Sequence, residues 1–427
     1  MSTIEKHDMT QGKILLPLVS FTIPLVLGNL FQLTYNAADS VIVGKYVGEQ
    51  ALAAVGTSTP IMNIAILLIS GMCMGASVLM SSQYGAKDYD TLSRQISTTM
   101  LAGCGFSVVF SLLMLLLANP VLRLIRVPET AIPEAAAYLR IIFMGLIFTF
   151  MYNFLANTMR ALGDSKTPLY FLVTSAFLNI FGDLFFVVVL RWGVAGSAIA
   201  TVCSEGLCCL LCGIYIKKKI PLLCLGKKWW VFDKSLLGKT VSYGSTSAMQ
   251  QVCLQLGKLI IQSVVNTQGV AVMAAFTAVN RVDDFAYTPQ QNIGHAMTTF
   301  LAQNKGAGHK ERMKKGFQTG LLIELVYSIG LFCVIWGLAP QIMTLFAEDG
   351  DAQVVSLGIS YLHLISWMYI LPGLTNGVQG FFRGIGDLKV TLYSTFMNMF
   401  GRVVAVFVMI RLLQMEFASL ALSLIHI

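Results

Sequence analysis

The sequence predicts an all-α polytopic membrane protein: two six-helix bundles related by a pseudo-two-fold axis along the membrane normal, the last helix cut short. Three observations carry this expectation. Of the 427 residues, 56% are hydrophobic and 12% charged, whereas a soluble domain carries about 25% charged residues. The charges fall between long apolar stretches rather than along them. The pattern R-x-x-G-D-x-K occurs twice, at Arg160–Lys166 and Arg383–Lys389, 223 residues apart, and each copy lies between two apolar runs.

Taken in order, residues 14–38, 50–86, 95–122, 141–159 and 352–382 contain no Asp, Glu, Lys or Arg. Each exceeds or approaches the roughly 20 apolar residues that cross a bilayer. Six further runs hold one to three charges: 167–190, 192–216, 240–265, 266–304, 316–347 and 390–410. This gives eleven spans. Lipid offers no partner for backbone N–H and C=O groups, so the spans must be helices. The first run is too long for the apolar region of a cleaved signal and stays as the first helix. After Arg402 the apolar character fades near Gln414 and Glu416, so only about half of a twelfth span is expected.

The formal net charge of +8 reports topology, not nucleic-acid binding. With the N-terminus cytoplasmic, inner loops carry 20 of the 29 Lys and Arg and outer loops carry 6. That bias is the orientation rule for membrane proteins and places the chain in the plasma membrane with both motif copies on the cytoplasmic face. Of nine cysteines, eight lie in apolar spans and Cys224 in a basic inner loop. None lies in an outer loop, so no disulfide framework is expected. Cys208, Cys209 and Cys212 read as small packing residues.

The duplication extends beyond the motif. At an offset of 221, Gly48 matches Gly269 and Gly85–Ala86 match Gly306–Ala307; at 223, Tyr138 matches Tyr361 and Asn153 matches Asn376; at 219, Asn179 matches Asn398 and Gly182 matches Gly401. The reading is a first lobe over residues 1–216, a basic cytoplasmic linker over 217–239, and a second lobe over 240–427 with helices seven to eleven and a partial twelfth. Six helices return the chain to its starting side, which makes the repeat parallel. In the two motif copies, Gly163 and Gly386 end a helix while Asp164 and Asp387 cap the next, with Arg160 and Arg383 alongside; this is a structural turn rather than a catalytic one.

Ionisable groups inside a bilayer are costly and mark function by default. Asp39 lies six residues before Lys45, and Asp183 eight residues before Arg191. At ~1.5 Å per residue both sit roughly 10 Å in from their outer ends. Asn179 and Asp183 share a helix face at i, i+4, and Ser197 and Thr201 of the following helix enter the same layer, with Glu205 on their stripe. Burial disfavours the charged form of a carboxylate, so such a nest can hold a proton, and its oxygens suit a hard cation. The second lobe does not repeat it, since Asp39 maps to Ile260 and Asp183 to Arg402. That lobe carries Lys258, Arg281, Asp283, Asp284, Glu324 and Arg402, read either as ion pairs or as residues lining a substrate cleft; Glu205 joins the cleft candidates. Pro24 precedes Asp39 in the first helix, and a bend there could move that carboxylate. No H-E-x-x-H, G-x-S-x-G or P-loop pattern occurs, so no enzyme is expected.

These residues resemble the multidrug and toxic compound extrusion (MATE) family, prokaryotic branch, from about Leu15 to Arg411. The resemblance rests on Asp39, on Gln83-Tyr84-Gly85-Ala86-Lys87, on Gln303-Asn304-Lys305-Gly306-Ala307-Gly308, and on the two R-x-x-G-D-x-K copies. It implies a cation-coupled antiporter in which Asp39, Asn179 and Asp183, joined by Thr201, bind Na⁺ or H⁺. The departures from the family pattern are Glu205 and the short C-terminus. The expected function is export of amphipathic, often cationic, organic compounds by alternating access, with Na⁺ or H⁺ as coupling ion, no resident cofactor, membrane lipid as surroundings, no nucleic-acid partner and a monomeric state. A lipid-linked saccharide flippase and a passive channel are the alternatives.

Overall fold

The computed structural model describes residues 8–125, 127–129, 131–220, 230–266, 270–346 and 352–411. The middle of the expected linker, 221–229, and the expected partial twelfth helix, after 411, lie outside the described residues.

Among the described residues the chain is helical, without strands, in thirteen α-helices: α1 (Leu15–Tyr46), α2 (Glu49–Gly85), α3 (Tyr89–Leu124), α4 (Ile132–Met144), α5 (Leu146–Ala161), α6 (Lys166–Asp183), α7 (Gly193–Lys219), α8 (Lys234–Val265), α9 (Val270–Gly306), α10 (Lys310–Phe346), α11 (Ala352–Ser366), α12 (Ile370–Gly384) and α13 (Leu388–Arg411). α4 and α5 form one rod bent by 46°. A 3₁₀ turn, Trp367–Tyr369, joins α11 to α12, and a π-helix, Leu184–Val189, continues α6. The rods therefore number eleven, as the apolar runs imply. Among the described residues, seven helices are long and apolar enough to cross a membrane, or eight with the bent pair; α8, α9 and α13 are the rods outside that set. These three hold the second lobe's charges Lys258, Arg281, Asp283, Asp284 and Arg402.

Lipid is the solvent these helices answer to. In α3 only 11% of the most apolar stretch is buried within the protein, while Leu112, Leu116 and Leu124 stand exposed. An apolar surface this large is costly in water and neutral in hydrocarbon. The protein is a polytopic membrane protein of two helical bundles.

Packing divides the chain into two units: Ile23–Ala248, and Met9–Thr22 with the chain from Met249 onward. Their limits fall inside α1 and α8, whereas the sequence places the boundary in the 217–239 linker. The reason is close backbone contact. A Cβ on Gly71 would lie 2.5 Å from the Ala248 Cα, and one on Gly75 would lie 2.5 Å from Tyr243 and Gly244 backbone atoms, so the start of α8 seats on α2 through glycines, as membrane helices favour. The segment before α8 docks on α3: the Val231 amide donates to Ser97 Oγ (3.1 Å) and the Asp233 amide to Thr98 Oγ1 (3.1 Å). In the second unit the segment before α1 does the same. The Met9 amide donates to Gln303 Oε1 (3.1 Å), Asn304 Nδ2 donates to the Met9 carbonyl (3.2 Å), and Arg312 donates to the carbonyls of Met9, Gln11 and Gly12.

Each unit has its own core. In the first, Ile69, Leu92, Leu139, Phe143, Leu146, Phe150 and Phe154 interlock; in the second, Phe276, Ile335, Met343, Tyr361, Leu362 and Ile365 do. α12 lies tightly on α9: a Cβ on Gly380 would lie 2.6 Å from the Gly294 carbonyl oxygen.

Both R-x-x-G-D-x-K copies fold as the same helix-ending turn. Gly163 (φ +90°) and Gly386 (φ +84°) adopt the left-handed conformation, which costs a side chain about 1 kcal/mol or more. The amide of Gly163 returns to the Arg160 carbonyl and that of Asp164 to Met159; Gly386 and Asp387 return to Arg383 and Phe382. Asp164 Oδ1 then accepts the Lys166 and Thr167 amides, both at 3.0 Å, and Asp387 Oδ1 accepts the Val390 amide at 3.4 Å. Arg383 donates to Gln379 Oε1 (3.2 Å) and meets His295 Nδ1 (3.3 Å). The motif is structural in both copies.

Candidate functional site

α6 and α7 approach closely because both carry glycine at their contact. A Cβ on Gly182 would sit 3.0 Å from the Ala200 Cβ, and one on Gly196 would sit 3.0 Å from the Phe186 backbone. At Asp183 the helix widens into the π-segment Leu184–Val189, a distortion that recurs at functional sites. α7 then presents Ser197, Thr201 and Glu205 at four-residue spacing toward α6, α1 and α5.

The result is one polar cluster in the first unit. Ser197 Oγ donates to Asp39 Oδ1 at 2.7 Å. Asn179 Nδ2 donates to Thr201 Oγ1 at 3.2 Å, and Thr201 Oγ1 donates to the Ser197 carbonyl at 3.1 Å. Asp183 is wholly buried, at 0% exposure. Neither of its oxygens receives a proton donor, and neither does the Asn179 Oδ1. Asp183 interacts electrostatically with the carboxyl group of Asp39. Two ionised carboxylates repel; two that share a proton or a small cation attract. Buried acceptors without donors cost about 1–3 kcal/mol each.

The five residues singled out from the sequence, Asp39, Asn179, Asp183, Ser197 and Thr201, are thus neighbours. Glu205, which pattern alone leaves without a role, accepts a hydrogen bond from Thr149 Oγ1 on α5. Thr149, Thr201 and Glu205 form the polar wall of a small cavity otherwise lined by Met62, Ala65 and Leu146 among other apolar side chains. Thr201 thus both meets Asn179 and lines the cavity that holds Glu205. Sequence reading passed over Tyr35 and Tyr138, whose hydroxyl groups lie within electrostatic reach of Asp39 and Glu205. The signal for Tyr35 was available: it precedes Asp39 by four residues and shares its face.

The second-lobe candidates separate. Lys258 Nζ pairs with Asp284 Oδ1 at 3.4 Å with both side chains more than half exposed, Asp283 accepts the Tyr369 hydroxyl, and Arg281 is exposed. The expected ion pairing holds for Lys258 and Asp284. It does not extend to Glu324, which is wholly buried with both carboxylate oxygens unsatisfied.

Comparison with known proteins is consistent with this geometry. The MatE family model matches residues 24–185 and again 247–408, one match in each half. The probable multidrug resistance protein YpnP of Bacillus subtilis is 32% identical over 392 residues, covering 91% of this chain and 86% of its own length. The probable multidrug resistance protein NorM of Thermotoga maritima is 23% identical over 408 residues, covering 93% and 86%. Among solved structures, a MOP superfamily transporter from Pyrococcus furiosus superposes with a TM-score of 0.91 at 22% identity, covering 100% of this chain and 95% of that one. An outward-facing MATE transporter gives 0.92 at 21%, covering 100% and 94%. The fold is that of the two-lobed helical MATE transporters, and the chain belongs to the MatE family of multidrug efflux transporters.

Proposed function

We propose that this protein is a secondary antiporter that exports amphipathic, cationic organic compounds in exchange for Na⁺ or H⁺. The observation that carries the reading is the buried Asp183 carboxylate, without a donor and facing Asp39. A cation entering this cluster neutralises the pair and gives the orphaned oxygens of Asp183 and Asn179 a partner. Its binding differs between conformations in which the cluster is open and closed to water, and a ligand shifts a conformational equilibrium by that difference in affinity. Drug binding that favours the opposite conformation then couples the two fluxes. Names of relatives such as the multidrug export protein MepA of Staphylococcus aureus support the substrate class. The distribution of Lys and Arg supports a plasma-membrane orientation with the N-terminus inside.

The flippase alternative needs free basic side chains for a phosphate. Lys258 pairs with Asp284, which weakens it, whereas the exposed Arg281 remains a basic side chain it could use. The test is efflux of a fluorescent organic cation from proteoliposomes under an imposed Na⁺ gradient, an imposed pH gradient, or neither. Efflux that follows one gradient supports the proposal; efflux indifferent to both, or steady ionic conduction in planar bilayers, overturns it.

A further inference from the structure

Because the chain is an internal duplication, helix positions in the second half have counterparts in the first. The offset is 221 for α2 and α9 and for α3 and α10, and 223 for the bent rod α4–α5 and the broken rod α11–α12. In the first unit, Gly103 of α3 meets Phe150 of α5: a Cβ on Gly103 would lie 1.9 Å from the ring. Ile69, Leu146 and Phe150 are core residues there. Their counterparts are Gln290, Tyr369 and Gly373, and the counterpart of Gly103 is Glu324. The pairing of small with large is inverted. Glycine has moved to the broken rod, and a carboxylate has entered from α10 where the first unit holds a ring.

The glycine keeps this space open for polar atoms. A Cβ on Gly373 would lie 2.8 Å from Ser328 Oγ, 3.1 Å from Gln290 Nε2 and 3.3 Å from Glu324 Oε2. Gln290 and Glu324 are both 0% exposed. Gln290 Nε2 donates to Ser328 Oγ (3.0 Å) and to the Tyr369 carbonyl (2.8 Å). Ser328 Oγ donates to the Glu324 carbonyl (2.7 Å) and reaches the Tyr369 carbonyl (3.3 Å). Every donor is spent on a backbone carbonyl or within the cluster. Glu324 Oε1, Glu324 Oε2 and Gln290 Oε1 receive none. The charged and titratable groups on the packed elements are engaged elsewhere. Asp283 takes the Tyr369 hydroxyl, His363 meets the Trp336 carbonyl, Arg383 meets Gln379 and His295, and the Tyr327 hydroxyl donates to the Ala286 carbonyl.

An isolated carboxylate in such a place costs several kcal/mol, and in the first unit the counterparts Ile69, Leu146, Phe150 and Gly103 are apolar or glycine, while Ser328 keeps its serine as Ser107. We propose that Glu324, with Gln290 and Ser328, is a second binding site for a small monovalent cation, a proton or Na⁺, lying wholly within the second unit. A proton taken from water turns Glu324 into a neutral donor, for which Gln290 Oε1 is an acceptor; Na⁺ would instead be held by the same oxygens. The site is separate from Asp39 and Asp183 and does not depend on their role.

The experiment is infrared difference spectroscopy of the full chain in lipid nanodiscs, in an Asp39→Asn/Asp183→Asn background that silences the other pair. The expected result is a protonated-carboxyl C=O band that disappears in Glu324→Gln. Glu324→Met, apolar and of similar volume, should lack the same band and serves if the amide variant folds poorly. Loss of the band on adding Na⁺ at constant pH assigns the site to Na⁺ and H⁺ in competition; loss only on raising pH, unchanged by Na⁺, assigns it to the proton. A band that survives both substitutions, or a Glu324 carboxylate that stays ionised at every pH and ignores Na⁺, overturns the proposal.

Discussion

Asp183→Asn separates a coupling role from a structural one by moving two observables in opposite directions. In the wild type without cation, both Asp183 oxygens are buried without donors beside Asp39. The variant removes one charge from a like-charged pair and supplies an N–H₂ that can donate to Asp39. Relief of one unsatisfied buried acceptor amounts to about 1–3 kcal/mol, so the cation-free variant should melt a few degrees higher than the wild type. Cation binding should suffer. Loss of a charge-assisted contact of about 1.5–3 kcal/mol weakens affinity roughly 10- to 100-fold at 1.4 kcal/mol per decade. At a cation concentration 100 times the wild-type dissociation constant, binding stabilises the wild type by about 2.7 kcal/mol and the variant by only about 0.4–1.4 kcal/mol. The assay is thermal unfolding in detergent across a Na⁺ titration, with choline holding ionic strength, repeated across pH, alongside gradient-driven efflux. A variant that keeps the wild-type Na⁺ or pH dependence of melting and wild-type efflux refutes the coupling role. A variant that melts lower and still couples assigns Asp183 to packing.

Two further perturbations test the scaffold. Asp88 caps α3, with its Oδ1 accepting the Thr91 amide at 3.1 Å, and the hydrogen bonds from Thr91 hold its carboxyl below the usual value of 3.8. Asp88→Ala should therefore lower stability by about 1 kcal/mol near neutral pH; because the native value is the lower one, that difference is full above the ordinary carboxylate range and vanishes as pH falls through the depressed value, which melting curves at stepped pH would show. Gly75→Ala puts a methyl 2.5 Å from α8 backbone atoms that cannot rotate away, and should cost about 1–3 kcal/mol through overpacking; a melting temperature equal to wild type would show that the start of α8 does not seat on α2 through this glycine.

Much of the architecture is legible because hydropathy in one dimension maps onto crossing a bilayer in one dimension. Charge-free runs of 20 or more residues admit few other conformations, and the depth of Asp39 and Asp183 follows from rise per residue. Gly163 and Gly386 are legible for a different reason: their left-handed backbone tolerates little else. What sequence does not carry is which helix meets which. The seating of 234–248 on α2, and of Met9 against Gln303 and Asn304, depends on glycine gaps and carbonyl partners far apart in the chain. Glu324 reads in sequence as one charge among several that could pair. Its isolation appears only when Lys258 is seen to take Asp284 and when Gly373 is seen to open the space beside it.

The divergence between the halves follows from the same distinction. Positions that fix backbone conformation are held in both copies, as the two helix-ending turns show in their matching carbonyl partners. Buried side chains face no such constraint once their volume is balanced across a contact. Gly103 with Phe150 and Gly373 with Glu324 are two solutions to filling one kind of gap, one by a ring and one by a carboxylate. Asp39 against Ile260 inverts polarity in the other sense, and Asp183 against Arg402 reverses the sign of a charge. A duplicated bundle can therefore carry a polar layer on α1, α6 and α7 in one copy and on α9 and α10 in the other while the described rods and the two helix-ending turns are kept. In the first unit the counterpart of the Glu324 layer is filled chiefly by Ile69, Leu146 and Phe150. A buried charge that packing does not require points to a ligand, because only binding offsets what its isolation costs.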